Sequence, residues 1–315
     1  LEYGATQSGT RLLTIEGDQI AYNDFISFIQ NSDLDQAAVY SELSELMNID
    51  GFIDHVVMTL YCANTSWGHN REWWRSRADD GKWQWLIVDV DRGFNPSNVN
   101  TNLLDNLLDG YLLFQYLMGT DRFQDRFLQR AAAHFNNTFQ ASRIEFIVDS
   151  LSNAIRDEMP RHIARWGFQG GISSMAEWEN ELEAIKTFAQ NRSANLYNHF
   201  NSELNLDGTI ELNTATYISE GGHILINGVP QLSENETGTY FKNQPIQLTA
   251  VPEPGYEVVG WSGITEASTI TYGCETDTSF IALFQPSSGM LLPGELSENM
   301  TLLNNQTYFV AENLH

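Results

Sequence analysis

The sequence predicts an α+β chain in which a mainly helical segment is followed by a small all-β sandwich. The chain has 315 residues, a mass of 35.6 kDa and 42% hydrophobic residues. That is enough for more than one core, since domains usually run about 100 to 200 residues. Apolar residues recur at three- and four-residue spacing through most of the first 206 positions and then fall into short runs bounded by turn residues. Charge breaks at the same place: residues 1–206 hold 15 Lys and Arg against 28 Asp and Glu, and the remainder holds one base, Lys242, against 13 acids.

In the stretch 49–61 the residues Phe52, Ile53, Val56, Val57, Leu60 and Tyr61 make one helical stripe, with Asn48 or Asp50 as the N-cap and an end expected near Asn64. Similar repeats predict helices over 35–47, 111–118, 121–136, 142–166 and 175–204, with Pro160 kinking or dividing 142–166. One strand, 82–90, stands between them and reads Lys-Trp-Gln-Trp-Leu-Ile-Val-Asp-Val. Alternation along it puts Trp85, Ile87, Asp89 and Asp91 on one face and Leu86, Val88 and Val90 on the other, so two carboxylates meet where it ends. In 207–286 the strands predicted are 209–212, 223–226, 245–251, 257–261 and 279–284, separated by Gly, Pro and Asn. Residues 287–315 read as a Ser-Gly linker and then, over 300–310, the first strand of a further module.

A formal charge of −25 sets the chain against nucleic-acid phosphates and anionic lipid, so no nucleic-acid partner is expected. Cys62 and Cys274 are too few for a disulfide scaffold or a four-thiolate zinc site and read as buried free thiols. No apolar run approaches the ~18 residues that cross a bilayer, so no transmembrane segment is expected. The chain opens at Leu1 without a signal peptide and reads as a piece of a longer protein. Phosphate-binding Gly-x-x-x-x-Gly-Lys-Ser/Thr and Gly-x-Gly-x-x-Gly loops, the His-Glu-x-x-His zinc motif and the Gly-x-Ser-x-Gly elbow are all missing.

Asp89 and Asp91 precede Arg92-Gly93-Phe94, a tight turn. Hard divalent cations take oxygen ligands, so this pair can hold Mg²⁺ or Mn²⁺ beside a triphosphate; alternatively one acid caps the turn and the other pairs with Arg92. The segment Asn64-Thr65-Ser66-Trp67-Gly68-His69-Asn70-Arg71-Glu72-Trp73-Trp74-Arg75 reads as a polar loop joining helix to strand; it offers Asn64 and Asn70 as metal or phosphate ligands and His69 as a base, or is pinned by its own polar side chains. Five of the eight Trp lie between Trp67 and Trp85, where they either stack on sugar or base faces or fill a core.

The helix Asn48-Ile-Asp-Gly-Phe-Ile-Asp54, the loop from Asn64 to Asn70, the strand Trp83-Gln-Trp-Leu-Ile-Val-Asp89-Val-Asp91-Arg-Gly-Phe94 and the helix Arg126-Phe-Leu-Gln-Arg130 together resemble the spore coat protein H (CotH) kinase family over about residues 1–204. The resemblance implies the C-lobe half of an atypical kinase-like fold, which transfers the γ-phosphoryl group of ATP to Ser or Thr with Mg²⁺ or Mn²⁺. It implies that Asn70, Asp89 and Asp91 hold metal and nucleotide. It places Ser66 and Asn70 in the catalytic loop, with Ser66 where the family usually carries the aspartate that accepts the substrate proton. Serine is no base at neutral pH, so chemistry here requires another carboxylate, such as Asp54. A kinase also needs a phosphate-covering lobe with a lysine, and Lys82, Lys186 and Lys242 all lack a glycine-rich context, which places that half before Leu1.

In the β segment, Asn227-Gly228, Gly238-Thr-Tyr240, Pro245-Ile-Gln-Leu-Thr-Ala250, Gly255-Tyr256 and Gly260-Trp261 are similar to divergent repeat modules of bacterial surface proteins, which implies a secreted or cell-surface setting. Three functions follow as expectations. The chain is part of a secreted CotH-like Ser/Thr kinase, inactive in this piece, whose protein substrate the sequence leaves unnamed; or it is a non-catalytic extracellular binding or adhesion protein; or, if several indole faces share one surface, it binds carbohydrate.

Overall fold

The computed structural model describes residues 2–7, 11–68, 70–292 and 308–310. It has two compact units, one of residues 1–127 with 138–206, the other of 128–137 with 207–315.

The first unit opens with strands β1 (Glu2–Gln7) and β2 (Arg11–Glu16), then helices α1 (Ile20–Asn31), α2 (Ala37–Leu46) and α3 (Ile49–Tyr61). Strands β3 (Arg71–Arg75) and β4 (Gln84–Leu86) complete an antiparallel sheet in the order β2-β1-β3-β4. Helices α4 (Leu104–Gly110), α5 (Leu112–Met118), α6 (Asp121–Asn136), α7 (Ala141–Ile155), α8 (Met159–Trp166) and α9 (Met175–Glu203) follow. The helical reading of this segment therefore holds, and Pro160 divides 142–166 by sitting in the first turn of α8, where a missing N–H costs nothing.

Helix α3 is the spine of this unit. The Asn48 side chain accepts from Gly51 N at 3.0 Å, and the stripe Phe52, Ile53, Val56, Val57, Leu60 and Tyr61 is buried. The helix stops at Tyr61, short of Asn64, because Ala63 takes a left-handed φ of 52°.

Two sequence expectations need correction here. The predicted strand 82–90 shrinks to Gln84–Leu86, since its partner β3 pairs only Glu72, Trp73 and Trp74 with it, and Asp89 adopts φ 49°. Strand alternation therefore cannot place Asp89 and Asp91. Three of the five clustered tryptophans are core: Trp73, Trp83 and Trp85 are buried, with Tyr22 5.0 Å from Trp73 and 5.2 Å from Trp83, and Phe52 4.7 Å from Trp85. These three indoles are closed to a sugar, while Trp67 and Trp74 are partly buried.

The second unit holds two four-stranded sheets. Strands β5 (Thr209–Thr216), β6 (Gly222–Ile226), β7 (Val229–Pro230), β8 (Asn235–Phe241), β9 (Pro245–Pro252), β10 (Tyr256–Trp261), β11 (Thr269–Gly273) and β12 (Thr278–Pro286) arrange as β10-β12-β5-β8 and β11-β9-β6-β7. Alternating burial on β5 and β12 points Ile210, Leu212, Phe280, Ala282 and Phe284 inward. Strand β13 (Met290–Leu292) pairs in parallel with β14 (Tyr308–Val310), the described part of the stretch 300–310; residues 300–307 lie outside the described residues.

Strand β8 ends its sheet, and residues 128–136 of α6 close that edge. Gln129 Nε2 donates to Phe241 O at 2.9 Å while its Oε1 accepts from Phe241 N at 3.1 Å; Asn136 makes the same pair of bonds to Thr239 at 2.8 and 3.0 Å. Two side-chain amides two helical turns apart thus imitate a neighbouring strand and satisfy an edge that would otherwise recruit another chain.

Trp261 is 1% exposed, and Gly260, at φ 132°, precedes it at a register shift where a Cβ would lie 2.1 Å from Thr265 O. Replacing Trp261 with Ala should destabilise the β unit by about 3 to 5 kcal/mol, the range for deleting a buried aromatic. Urea unfolding of the full chain, followed by a probe specific to the β unit, measures it; a change below about 1 kcal/mol would show that Trp261 does not anchor this core.

Candidate functional site

The site begins where α3 ends. Arg192 of α9 is 0% exposed and donates to Leu60 O at 2.6 Å, Tyr61 O at 3.0 Å, Val99 O at 2.8 Å and Thr101 O at 3.0 Å. Burial draws its pKa down to about 10, which leaves it charged at neutral pH. Two of its acceptors are terminal carbonyls of α3, the negative end of the helix dipole.

Beyond that end, Asn64 N donates to Thr59 O, and Phe94 N donates to Cys62 O at 2.7 Å. Gly93 sits so close to Cys62 that an added Cβ would come within 3.0 Å of its Cβ. These bonds bring the loop after α3 against the segment after β4. Asn64 Oδ1 accepts from Ser66 N at 3.1 Å and from Ser66 Oγ at 3.0 Å, and its Nδ2 reaches Asp89 O at 3.4 Å. Asn70 Nδ2 donates to Asp89 Oδ2 at 2.8 Å and to Ser66 Oγ at 3.1 Å.

Of the predicted site residues, the structure therefore brings Asn70, Ser66 and Asp89 into one network, and adds Asn64 beneath them. Asp89 and Asp91 are both exposed. Ser66 is 7% exposed and holds Asn70 from below, with its hydroxyl engaged on both sides. His69 lies outside the described residues. Residues 71–75, read from sequence as the end of a polar loop, are strand β3, which makes the loop shorter and more tightly anchored than expected.

Sequence reasoning missed the wall behind Asn70. His55, Val56, Thr59, Trp67, Asn70, Arg71, Leu107 and Tyr111 surround a cavity of about 10 Å³. His55 is 6% exposed with Nδ1 unpartnered, and Arg71 Nε is buried without a partner. Burial, reinforced by the Arg71 charge, pushes the His55 pKa down to about 4, so this ring is neutral at physiological pH. The i, i+4 spacing of His55 and Thr59 on an apolar stripe was the only sequence signal of this wall. Both cysteines are buried free thiols, and burial pushes each up to about 11.

Residues 7–196, more than half of the chain, match the CotH kinase protein family, and residues 227–288 match the divergent InlB B-repeat domain. Neither the curated proteins nor the solved structures contain a match to this chain.

Two outcomes follow from this geometry. Arg192→Met keeps the stem but strands four carbonyls, and should cost about 3 to 5 kcal/mol in chemical denaturation; a loss below about 1 kcal/mol would mean that α3 ends without it. His55 contributes a pH dependence whose sign is fixed by its depressed pKa. The unfolded chain takes up its proton near pH 6.5 and the folded chain only near 4, so its contribution to stability is lost as pH falls through that window, by roughly 3 kcal/mol. His55→Gln should flatten the stability profile between those values relative to wild type, and parallel profiles would remove the assignment.

Proposed function

The chain belongs to the CotH kinase family, and from that premise we propose that its helical unit holds ATP and Mg²⁺ or Mn²⁺ at Asn70, Asp89 and Asp91 but, as it stands, transfers no phosphoryl group. The donor chemistry supports the metal: two carboxylates and one amide oxygen are hard ligands of the kind these ions take. Among the described residues no group of three His, Cys, Asp or Glu gathers. When bound, such an ion neutralises charge on the phosphates.

The observation that carries the second half of the proposal is Ser66. It occupies the loop position of the expected base, is 7% exposed, and gives its proton to Asn64 while accepting from Asn70. Such a hydroxyl orients Asn70 toward Asp89 and cannot accept a substrate proton at neutral pH. The remaining chemistry of the chain is binding and orientation.

A non-catalytic surface role is the second reading, and the same serine favours it. The match to a divergent InlB B-repeat domain, together with the acidic composition and single Lys of the β segment, supports a place on the bacterial cell surface or outside the cell. No helix among the described residues is long and apolar enough to cross a membrane. The partner on that surface would be a protein, since the charge disfavours nucleic acid.

Saturating Mn²⁺ with ATP should raise the melting temperature of the chain, by linkage worth about 2.7 kcal/mol at a hundredfold excess over Kd, and Asp91→Ala should abolish the rise. With labelled ATP and a generic protein substrate, the wild-type chain should transfer no label; Ser66→Asp should acquire transfer only once the phosphate-covering lobe expected before Leu1 is supplied, and Asp91→Ala should then remove it. Wild-type transfer dependent on Asp91 would overturn the inactive reading, and a thermal shift indifferent to Asp91 would overturn the metal site.

A further inference from the structure

A phosphoryl group brought to Asn70 and Asp89 needs a cation, and the lysines of the helical unit are committed elsewhere. Lys82 Nζ donates to Ser44 O at 2.7 Å and lies 3.5 Å from Glu45, while Lys186 lies 2.6 Å from Asp149. The cation that does share a wall with Asn70 is its neighbour in sequence, Arg71.

Its surroundings are those of a held and unneutralised guanidinium. The Arg71 Cζ lies 4.4 Å from the Tyr111 ring centroid and 5.2 Å from that of Trp67, so two aromatic faces fix the plane. Among the described residues no carboxylate pairs with it, although the chain carries 41 acids against 16 Lys and Arg. Its Nη2 reaches Gly68 O only at 3.5 Å. Behind it, the cavity of about 10 Å³ has room for one water that can bridge Arg71 Nε and the unpartnered Nδ1 of His55. The Nη edge is left for a ligand, and a planar fork of donors matches two oxygens of a phosphate.

We propose that Arg71 is the anion-binding group of the candidate site and takes two oxygens of a phosphoryl group, from a nucleotide or from a phosphorylated residue. The proposal rests on the reading of Asn70 and Asp89 as the phosphoryl-holding end of the site, and it assigns to Arg71 the charge that a lysine would otherwise bring. Tyr111, Trp67 and His55 are positioning residues: they hold the guanidinium, and only Arg71 touches the anion.

The experiment is a calorimetric titration of the full chain with inorganic pyrophosphate in EDTA at ~0.15 M salt, where screening limits repulsion by the acidic surface to about 8 Å. Wild type should bind, Arg71→Met should bind at least about tenfold more weakly, and Arg71→Lys should fall between, having the charge without the fork. Arg143→Gln, which removes one exposed positive charge from α7, should bind as wild type. Should Arg71→Met fail to fold, arginine-selective dicarbonyl labelling of the wild type supplies the same answer, since pyrophosphate should slow modification at Arg71 and not at Arg143. Parallel arms with ATP and with a phosphoserine peptide identify the source of the phosphoryl group. No binding by wild type, equal binding by folded Arg71→Met, or unprotected Arg71 would overturn the proposal. Because no metal is present, a failed Mn²⁺ shift at Asp91 leaves this result standing, and an indifferent Arg71 leaves the metal site standing.

Discussion

Arg192 is the constraint on which the helical unit depends, because a charge with no exposed surface must find fixed partners or be driven out of the fold. Among the described residues it finds four carbonyls and no carboxylate, and two of those carbonyls close α3. The desolvation cost of a buried ion is several kcal/mol, and charge-assisted bonds of about 1.5 to 3 kcal/mol each offset it only if all are made together. The arrangement is therefore close to all-or-none. The end of α3, the 99–101 segment and α9 are fixed by one side chain. Asn195 of the same helix adds a bond to Val99 O at 3.0 Å.

From that fixed end the site geometry follows through backbone rather than side chains. With Leu60 and Tyr61 carbonyls engaged, the chain leaves the helix through the left-handed Ala63, and Cys62 O is free to receive Phe94 N. The loop bearing Ser66 and Asn70 and the segment bearing Asp89 are registered against each other before any functional side chain is considered. Exchange of a residue such as Ser66 can then alter chemistry while leaving the frame intact. The same economy appears in the β unit, where Gln129 and Asn136 substitute for a strand on the edge of β8.

What the sequence revealed and what it hid divide along the range of the forces involved. Helix α3 was legible to its first residue because its cap, Asn48, and its stripe are local. Strand β3 was not, since Arg-Glu-Trp-Trp-Arg has no alternation and becomes a strand only by pairing with β1 on one side and β4 on the other. The run 82–90 misled for the converse reason: its apolar residues outlast the partner that could pair with them, and Ile87 is exposed. Asn70 and Asp89 could be nominated from residue type and family resemblance, yet their contact depends on the tether from Cys62 to Phe94, which joins positions far apart in sequence. Arg71 was hidden because its importance lies in an absent partner, and absence has no sequence pattern.

The charge balance of the loop gives a physical reason why serine is stable at position 66. Ser66 Oγ and Asp89 Oδ2 accept from the same Asn70 nitrogen, so a carboxylate in place of the hydroxyl would set two anions around one neutral amide. Like charges that close, in a site only partly open to water, repel by an amount that raises one pKa or displaces the side chain. A bound divalent cation relieves that repulsion, and without one the loop is strained. Serine removes the conflict: its hydroxyl donates to Asn64 and accepts from Asn70, and is satisfied on both sides with no cation at all. A loop built this way holds its shape through the Asn64, Ser66 and Asn70 hydrogen bonds, without a second carboxylate beside Asp89.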